Sequence, residues 1–347
     1  MNAFDGYVRR LGQSRNPLQR RSLYFGEAHP HGYPVLLDSN LLVEHTHCLG
    51  ASGCGKTSRT LMPMTIQLIR RGDGPVIILD MKGDMGLFHT ARIEAERAGR
   101  RFKWFTNSAN RSTYVFNPWD RDILTRMTIQ EILGLITQSL NLYHGDDYGP
   151  GWFSSNSRIL LKRGIEQTLH TKTVTGQLFA KEPPIESYDD LHNILKKLAA
   201  DNNEFKAAQH LAFIVEELAS YPQLNLAPHR AENSPAIQDA INMTEAIRSK
   251  EVIYFCLPGA FDASAAGEIA RLALYTLLSA ARLYNQEHGR PPRVYLIVDE
   301  AQVLVAKNIE NVLAQTRSLG IACTLAHQSM SQLNPQGGAD LRELFMD

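Results

Sequence analysis

The stretch Gly50-Ala51-Ser52-Gly53-Cys54-Gly55-Lys56-Thr57 decides how the rest of the chain is read. It fits the pattern GxxxxGK[ST] in full. Its glycines let backbone N–H groups turn inward around a β-phosphate, its lysine reaches the β- and γ-phosphates, and its threonine hydroxyl is a ligand for Mg²⁺. Gly50, Ala51, Ser52, Gly53, Cys54, Gly55, Lys56, Thr57 and Ser58 are therefore the expected nucleotide-binding residues, with ATP and Mg²⁺ as ligands. A short strand candidate, Glu44–Leu49, leads into the loop. A helical stretch from Lys56 to about Arg71 follows and adds its N-terminal dipole to the binding of anions.

Outward from the loop, apolar runs bounded by Gly or Pro alternate with helical stretches. Pro75–Asp80 reads as a strand buried on both faces, Phe102–Phe105, Val252–Leu257, Val294–Asp299 and Ile321–Leu325 as further strands, and Tyr114–Asn117 as another stopped by Pro118. Helices are expected over Asp84–Ala98, Ser264–Leu283 and Asn308–Leu319. From Arg121 to Arg248 the strand signal fades. Ile129–Leu142, Ser157–His170, Tyr188–Leu198 and Phe205–Leu218 each carry an apolar helical stripe. The expectation is an α/β fold: a RecA-like P-loop NTPase with a mainly parallel, doubly wound sheet and an inserted all-α domain. Residues 1–40 read as a polar N-terminal arm with one hairpin, 41–120 and 250–347 as the NTPase domain, and 121–249 as the insertion.

A second motif supplies the other half of a hydrolytic site. Val294-Tyr295-Leu296-Ile297-Val298-Asp299-Glu300 is an apolar strand ending in two acids, the Walker B pattern. Asp299 is the expected Mg²⁺ residue and Glu300 the general base for the attacking water. The Asp-Glu pair, with no Asn-Lys-x-Asp guanine-reading motif, points to a motor-type ATPase. Gln328, directly after the strand Ile321–Leu325, is placed to sense the γ-phosphate or to cap the strand end. His327 reads as structural. Arg317 reads equally as an arginine that reaches a neighbour's γ-phosphate and as a solvated arginine at a helix C-terminus.

Composition narrows the classes. The 36 basic and 36 acidic residues cancel, so any nucleic-acid surface must be local. The N-terminal arginines Arg9, Arg10, Arg15, Arg20 and Arg21 are one candidate, and they read also as a solvated leader. The four cysteines have no CxxC spacing, which fits a reduced compartment without a zinc site. No apolar run reaches the ~20 residues that span a bilayer.

Together these pieces resemble the type IV secretion coupling proteins, the TraG/TraD-like conjugation ATPases of the FtsK/HerA superfamily. The resemblance rests on Glu44–Gly50 running into the loop and on Ile78–Asp84, similar to the family's Asp-Pro-Lys-Gly-Glu/Asp element. It rests also on Phe116–Asp120, similar to its Asn-Pro element, and on Leu296–Gln302 and Ala314–Gln328. It covers about Leu36 to Leu333. It implies a homo-hexameric ring that moves single- or double-stranded DNA through a central pore and hands a nucleoprotein to relaxase and secretion-channel partners. It also implies that Arg317 acts in trans and Gln328 as a sensor. The expected location is the cytoplasm, at the inner face of the membrane. Three departures stand out. The N-terminal membrane helices are missing, so anchoring would come through partners or a missing segment; Met81 replaces Pro; and the chain stops soon after the last strand.

Other readings are a FtsK/HerA-type DNA-processing, defence or secretion-assembly ATPase, and a nucleotide-dependent adaptor. Glu300 argues against the adaptor. The stretch after Glu300 is too short for the second lobe of a two-lobed helicase.

Overall fold

The structure is a computed structural model. It describes residues 3–108, 111, 113–119, 124, 126–140, 150–172, 177–180, 185–201, 209–226, 240–259, 263–304 and 309–329. The chain forms two compact units. Met1–Trp104, Thr244–Leu257 and Ala281–Asp347 make the first, and Phe105–Met243 with Pro258–Ala280 the second. The sequence reading draws the inserted division at 121–249.

The chain opens with helices α1 (Ala3–Gly12) and α2 (Pro17–Arg21) and the antiparallel strands β1 (Ser22–Ala28) and β2 (Tyr33–Asp38). The hairpin matches expectation, but the rest of the supposed arm is helical. Asn16 caps α2 by accepting the Leu18 N–H at 2.9 Å, with Pro17 at the first helical position. Leu23 of β1 is buried in the core of the first unit. Gln67 clips β1 in place by accepting the Tyr24 N–H at 2.8 Å and donating to the Tyr24 carbonyl at 3.0 Å.

A 3₁₀ turn, Ser39–Glu44, leads to β3 (Thr46–Leu49) and the glycine loop. The loop runs into a π-helical turn, Lys56–Leu61, and then α3 (Met62–Arg71). The wide turn has a local cause: Pro63 has no N–H to give to the Arg59 carbonyl. Then come β4 (Val76–Asp80), α4 (Met85–Arg97) and β5 (Phe102–Thr106).

The second unit carries α5 (Ile129–Ser139), α6 (Pro150–Thr168), β6 (Leu169–Lys172), β7 (Gln177–Ala180), α7 (Tyr188–Asp201), α8 (Gln209–Ala219) and α9 (Pro222–Asn225). The helical character is as expected, with the antiparallel pair β6–β7 added. The stripe expected to reach His170 ends at Thr168, where the chain enters β6 and pairs with β7. Tyr114–Asn117 is not a strand. Val115 forms a single bridge to Ala240, and the Phe116 N–H goes to the Gln223 carbonyl at 3.0 Å instead of to a ladder. The expected helix starts at Phe205 and Asn308 lie outside the described residues.

The remaining elements are α10 (Met243–Ser249), β8 (Val252–Cys256), α11 (Ala263–His288), β9 (Val294–Asp299), α12 (Ile309–Ser318) and β10 (Ile321–His327). Among the described residues the main sheet has six strands in the order β3-β10-β9-β4-β8-β5. The β3/β10, β10/β9, β9/β4 and β4/β8 ladders are all parallel. Every residue of β4, β8, β9 and β10 is buried, as strands covered on both faces require. Register places Cys48, Ala326, Asp299 and Asp80 in one row at the C-terminal edge, where parallel sheets bind ligands.

Candidate functional site

The glycine loop leaves β3 and its backbone comes close to its own side chains. A Cβ on Gly50 would meet the Cys54 sulfur at 2.5 Å. Gly55 sits at φ 91°, in the left-handed region that glycine adopts without strain. Lys56 crosses back over the loop and donates to the carbonyls of Gly50 at 2.5 Å and Ala51 at 3.3 Å. The Gly50 N–H donates to the His327 carbonyl at 3.3 Å, tying the loop's root to β10.

The acids meet this loop. The Thr57 hydroxyl donates to Asp299 Oδ2 at 2.9 Å across a sequence separation of 242 residues. Asp299 is buried, and its carboxyl is pushed above the usual carboxylate range, first by burial and then by the charges of Asp80 and Glu300; the Thr57 hydroxyl opposes this. Among the described residues no lysine or arginine pairs with Asp299. A crowded, buried carboxylate beside a threonine hydroxyl is a donor set that suits a hard divalent cation such as Mg²⁺.

Glu300 has a left-handed backbone, φ 57°, unusual for a residue with a Cβ. Its N–H donates to Asp299 Oδ1 at 3.1 Å. Gln302 Nε2 donates to Glu300 Oε2 at 2.7 Å. Gln328 Nε2 donates to both carboxylate oxygens, at 2.9 and 3.1 Å. Gln328 therefore grips Glu300 directly. A cavity of about 180 Å³ lies among these groups, with Ser52, Gly53, Gly55, Lys56, Thr57 and Ser58 on one wall and Asp299, Glu300 and Gln328 on the other.

His327 is fully buried and has a structural place. Its ring stacks on His47 of β3 with centroids 4.3 Å apart, and the two Nε2 atoms share a hydrogen bond. Its Nδ1 faces the Ser329 carbonyl at 3.0 Å. Arg317, at the end of α12, is away from the cavity lining. Its guanidinium is ion-paired with Glu44 at 2.7 Å and is 61% exposed. Asn117 is a clip inside the second unit, donating to the carbonyls of Glu186 at 2.7 Å and Leu226 at 3.1 Å. Asp120 lies outside the described residues.

Sequence reasoning assigned no role to three groups at the site. Gln302 holds Glu300, and Lys82 and Asp84 line the cavity. The signal for the last two was the Asp80–Asp84 stretch.

The order β3-β10-β9 defines the class. An additional strand stands between the phosphate-loop strand and the acid strand, as in RecA-like P-loop ATPases. Within that class the chain belongs to the type IV secretion-system coupling protein DNA-binding domain family, whose model matches residues 34–343. Solved structures share its fold. VirB4 of Thermoanaerobacter pseudethanolicus is 14% identical with a TM-score of 0.57, covering 94% of this chain and 81% of VirB4. The bacterial conjugative coupling protein TrwBdeltaN70 with sulphate is 16% identical with a TM-score of 0.57, covering 99% and 74%. The plasmid coupling protein TrwB with the ATP analogue ADPNP is 16% identical at 0.57, covering 94% and 71%. No curated protein sequence matches the chain.

Proposed function

We propose that the chain is an ATP-hydrolysing motor that moves DNA for a conjugation or type IV secretion system. The carrying observation is the 2.9 Å bond from Thr57 to Asp299, which joins the two halves of a nucleotide site within a coupling-protein fold. TrwB has been solved with ADP and Mg²⁺ and with ADPNP, which supports ATP and Mg²⁺ as the ligands here. In this reading Gly50–Ser58 enclose the phosphates, Lys56 exchanges its loop carbonyls for phosphate oxygens, and Thr57 and Asp299 hold Mg²⁺. When bound, the cation offsets the negative charge that builds between the β- and γ-phosphates. Glu300 takes the proton of the attacking water. Gln328, already hydrogen-bonded to that base, senses the γ-phosphate.

Arg317 serves a neighbouring subunit. Exposed ion pairs contribute only about 0–1 kcal/mol, so release from Glu44 costs little. The assembly is a homo-hexameric ring with DNA in its pore, delivering to relaxase and secretion-channel partners at the inner face of the membrane. Among the described residues no helix is long and apolar enough to cross a membrane. The division of labour is an arm over 1–40, an NTPase domain over 41–120 and 250–347, and an inserted helical domain over 121–249.

The test is ATP turnover by the full chain with and without DNA, beside Lys56→Ala. DNA-stimulated turnover that Lys56→Ala abolishes is expected. Turnover at the wild-type level in Lys56→Ala would overturn the site, and turnover indifferent to DNA would overturn the motor.

A further inference from the structure

The turn after β4 is built with more care than a connection needs. Asp80 is fully buried, yet its carboxylate accepts three successive backbone N–H groups: Lys82 at 2.9 Å and Gly83 at 2.9 Å on Oδ1, and Asp84 at 2.6 Å on Oδ2. The Tyr254 hydroxyl, from β8, donates to Oδ2 at 2.6 Å. A buried carboxylate is costly unless it is hydrogen-bonded, so this one holds the turn in a single geometry. Asp84 then caps α4 by accepting the Leu87 N–H at 2.9 Å.

What the turn presents is Lys82. Asp80 stands opposite Asp299 in the β4/β9 register, so the turn begins at the same edge of the sheet as the two acids. Lys82 lines the cavity with Asp84, Asp299, Glu300 and Gln328, and among the described residues its ammonium makes no hydrogen bond or ion pair. That wall carries three carboxylates, and Lys56 is the other cation of the cavity lining. Lys56 rises from the loop that encloses the β-phosphate. Lys82 reaches the same cavity from the turn after β4.

Building on the ATPase reading above, we propose that Lys82 is a second phosphate-binding cation of the site, supplied in cis and directed at the terminal phosphate. It offsets the three carboxylates that a triphosphate meets on this wall, and it favours ATP over ADP because only ATP extends to it.

The experiment compares wild type, Lys82→Ala, Lys82→Arg and Lys56→Ala in the full chain. Affinities for ADPNP and ADP are read by competition with a fluorescent ADP, and kcat and KM for ATP by phosphate release. Lys82 is exposed on its turn, so its truncation spares the core. Lys82→Ala should weaken ADPNP by about tenfold or more, leave ADP within about threefold, and lower kcat; Lys82→Arg should restore most of both. ADPNP and ADP affinities that fall together, or kcat and both affinities within about twofold of wild type, would overturn the assignment while Lys56→Ala still marks the site as a nucleotide site. If Lys56→Ala also behaves like wild type, the ATPase reading itself fails and Lys82 falls with it.

Discussion

Glu300 occupies the left-handed region at φ 57°. For a side chain with a Cβ that backbone costs roughly 1–2 kcal/mol, and it persists here because Asp299, Gln302 and Gln328 hold it. Two substitutions separate strain from chemistry. Glu300→Gln should bind ATP and slow turnover about 10²–10⁴-fold, as loss of a general base does. Glu300→Gly should be as inactive; relief of the backbone is offset by the lost bonds from Gln302 and Gln328, so stability in denaturant unfolding should change by less than about 1 kcal/mol. Rapid hydrolysis by Glu300→Gln would place the base elsewhere. The acid pair was legible because an apolar run ending in Asp-Glu has few other readings. Gln302 was not, because a turn brings it to Glu300 and no spacing rule marks it, and Lys82 was legible only as part of the Asp80–Asp84 stretch, without a role.

At the scale of elements, β4, β8, β9 and β10 were plain in sequence: strands covered on both faces write themselves as unbroken apolar runs. β3 was fainter, as a short edge strand with a polar threonine and histidine should be. Tyr114–Asn117 misled because its apolar residues serve packing inside the second unit while its backbone bonds go to Gln223 and Ile241. The β3–β10 seam carries its own prediction. Burial, and then the neighbouring His327, push His47 down to about 4. His327 is lowered too, by burial first, with Lys56 adding and Glu300 opposing. Both folded values lie below the unfolded one. The neutral pair therefore contributes stability fully above about pH 6.5, and that contribution is lost as the pH falls toward about 4. His47→Gln should shrink the drop in denaturant midpoint between pH 7 and pH 4.5. An unchanged drop would mean that the pair does not titrate as described.

For the whole molecule, the fold class could be read from the alternation of elements around the glycine loop, and the family from the order of its motifs. The division between the two units was harder. Stretches such as Pro258–Ala280 join the second unit from a distance in sequence, which local periodicity does not encode. The prediction at this scale concerns Arg317. If it completes a neighbour's site, mixing Arg317→Ala with Lys56→Ala subunits should regain ATP turnover above either variant alone. A mixed ring contains sites with an intact lysine from one subunit and an intact arginine from the next. No gain on mixing, with both variants assembled, would return Arg317 to its pairing with Glu44.

Strand β10 is bonded on one flank to β3 and on the other to β9, and Gln328 follows its last residue, His327. Gln328, which bonds Glu300, therefore shares a backbone with the one strand among the described residues that borders both the phosphate-loop strand and the acid strand. On the proposed sensor role, a shift of Gln328 on loss of the γ-phosphate would pass to the hydrogen-bond ladders on both flanks of β10. One strand thus ties the root of the glycine loop, through the Gly50–His327 bond, to Glu300, through Gln328, and the proposed motor would have its two halves yoked at that point.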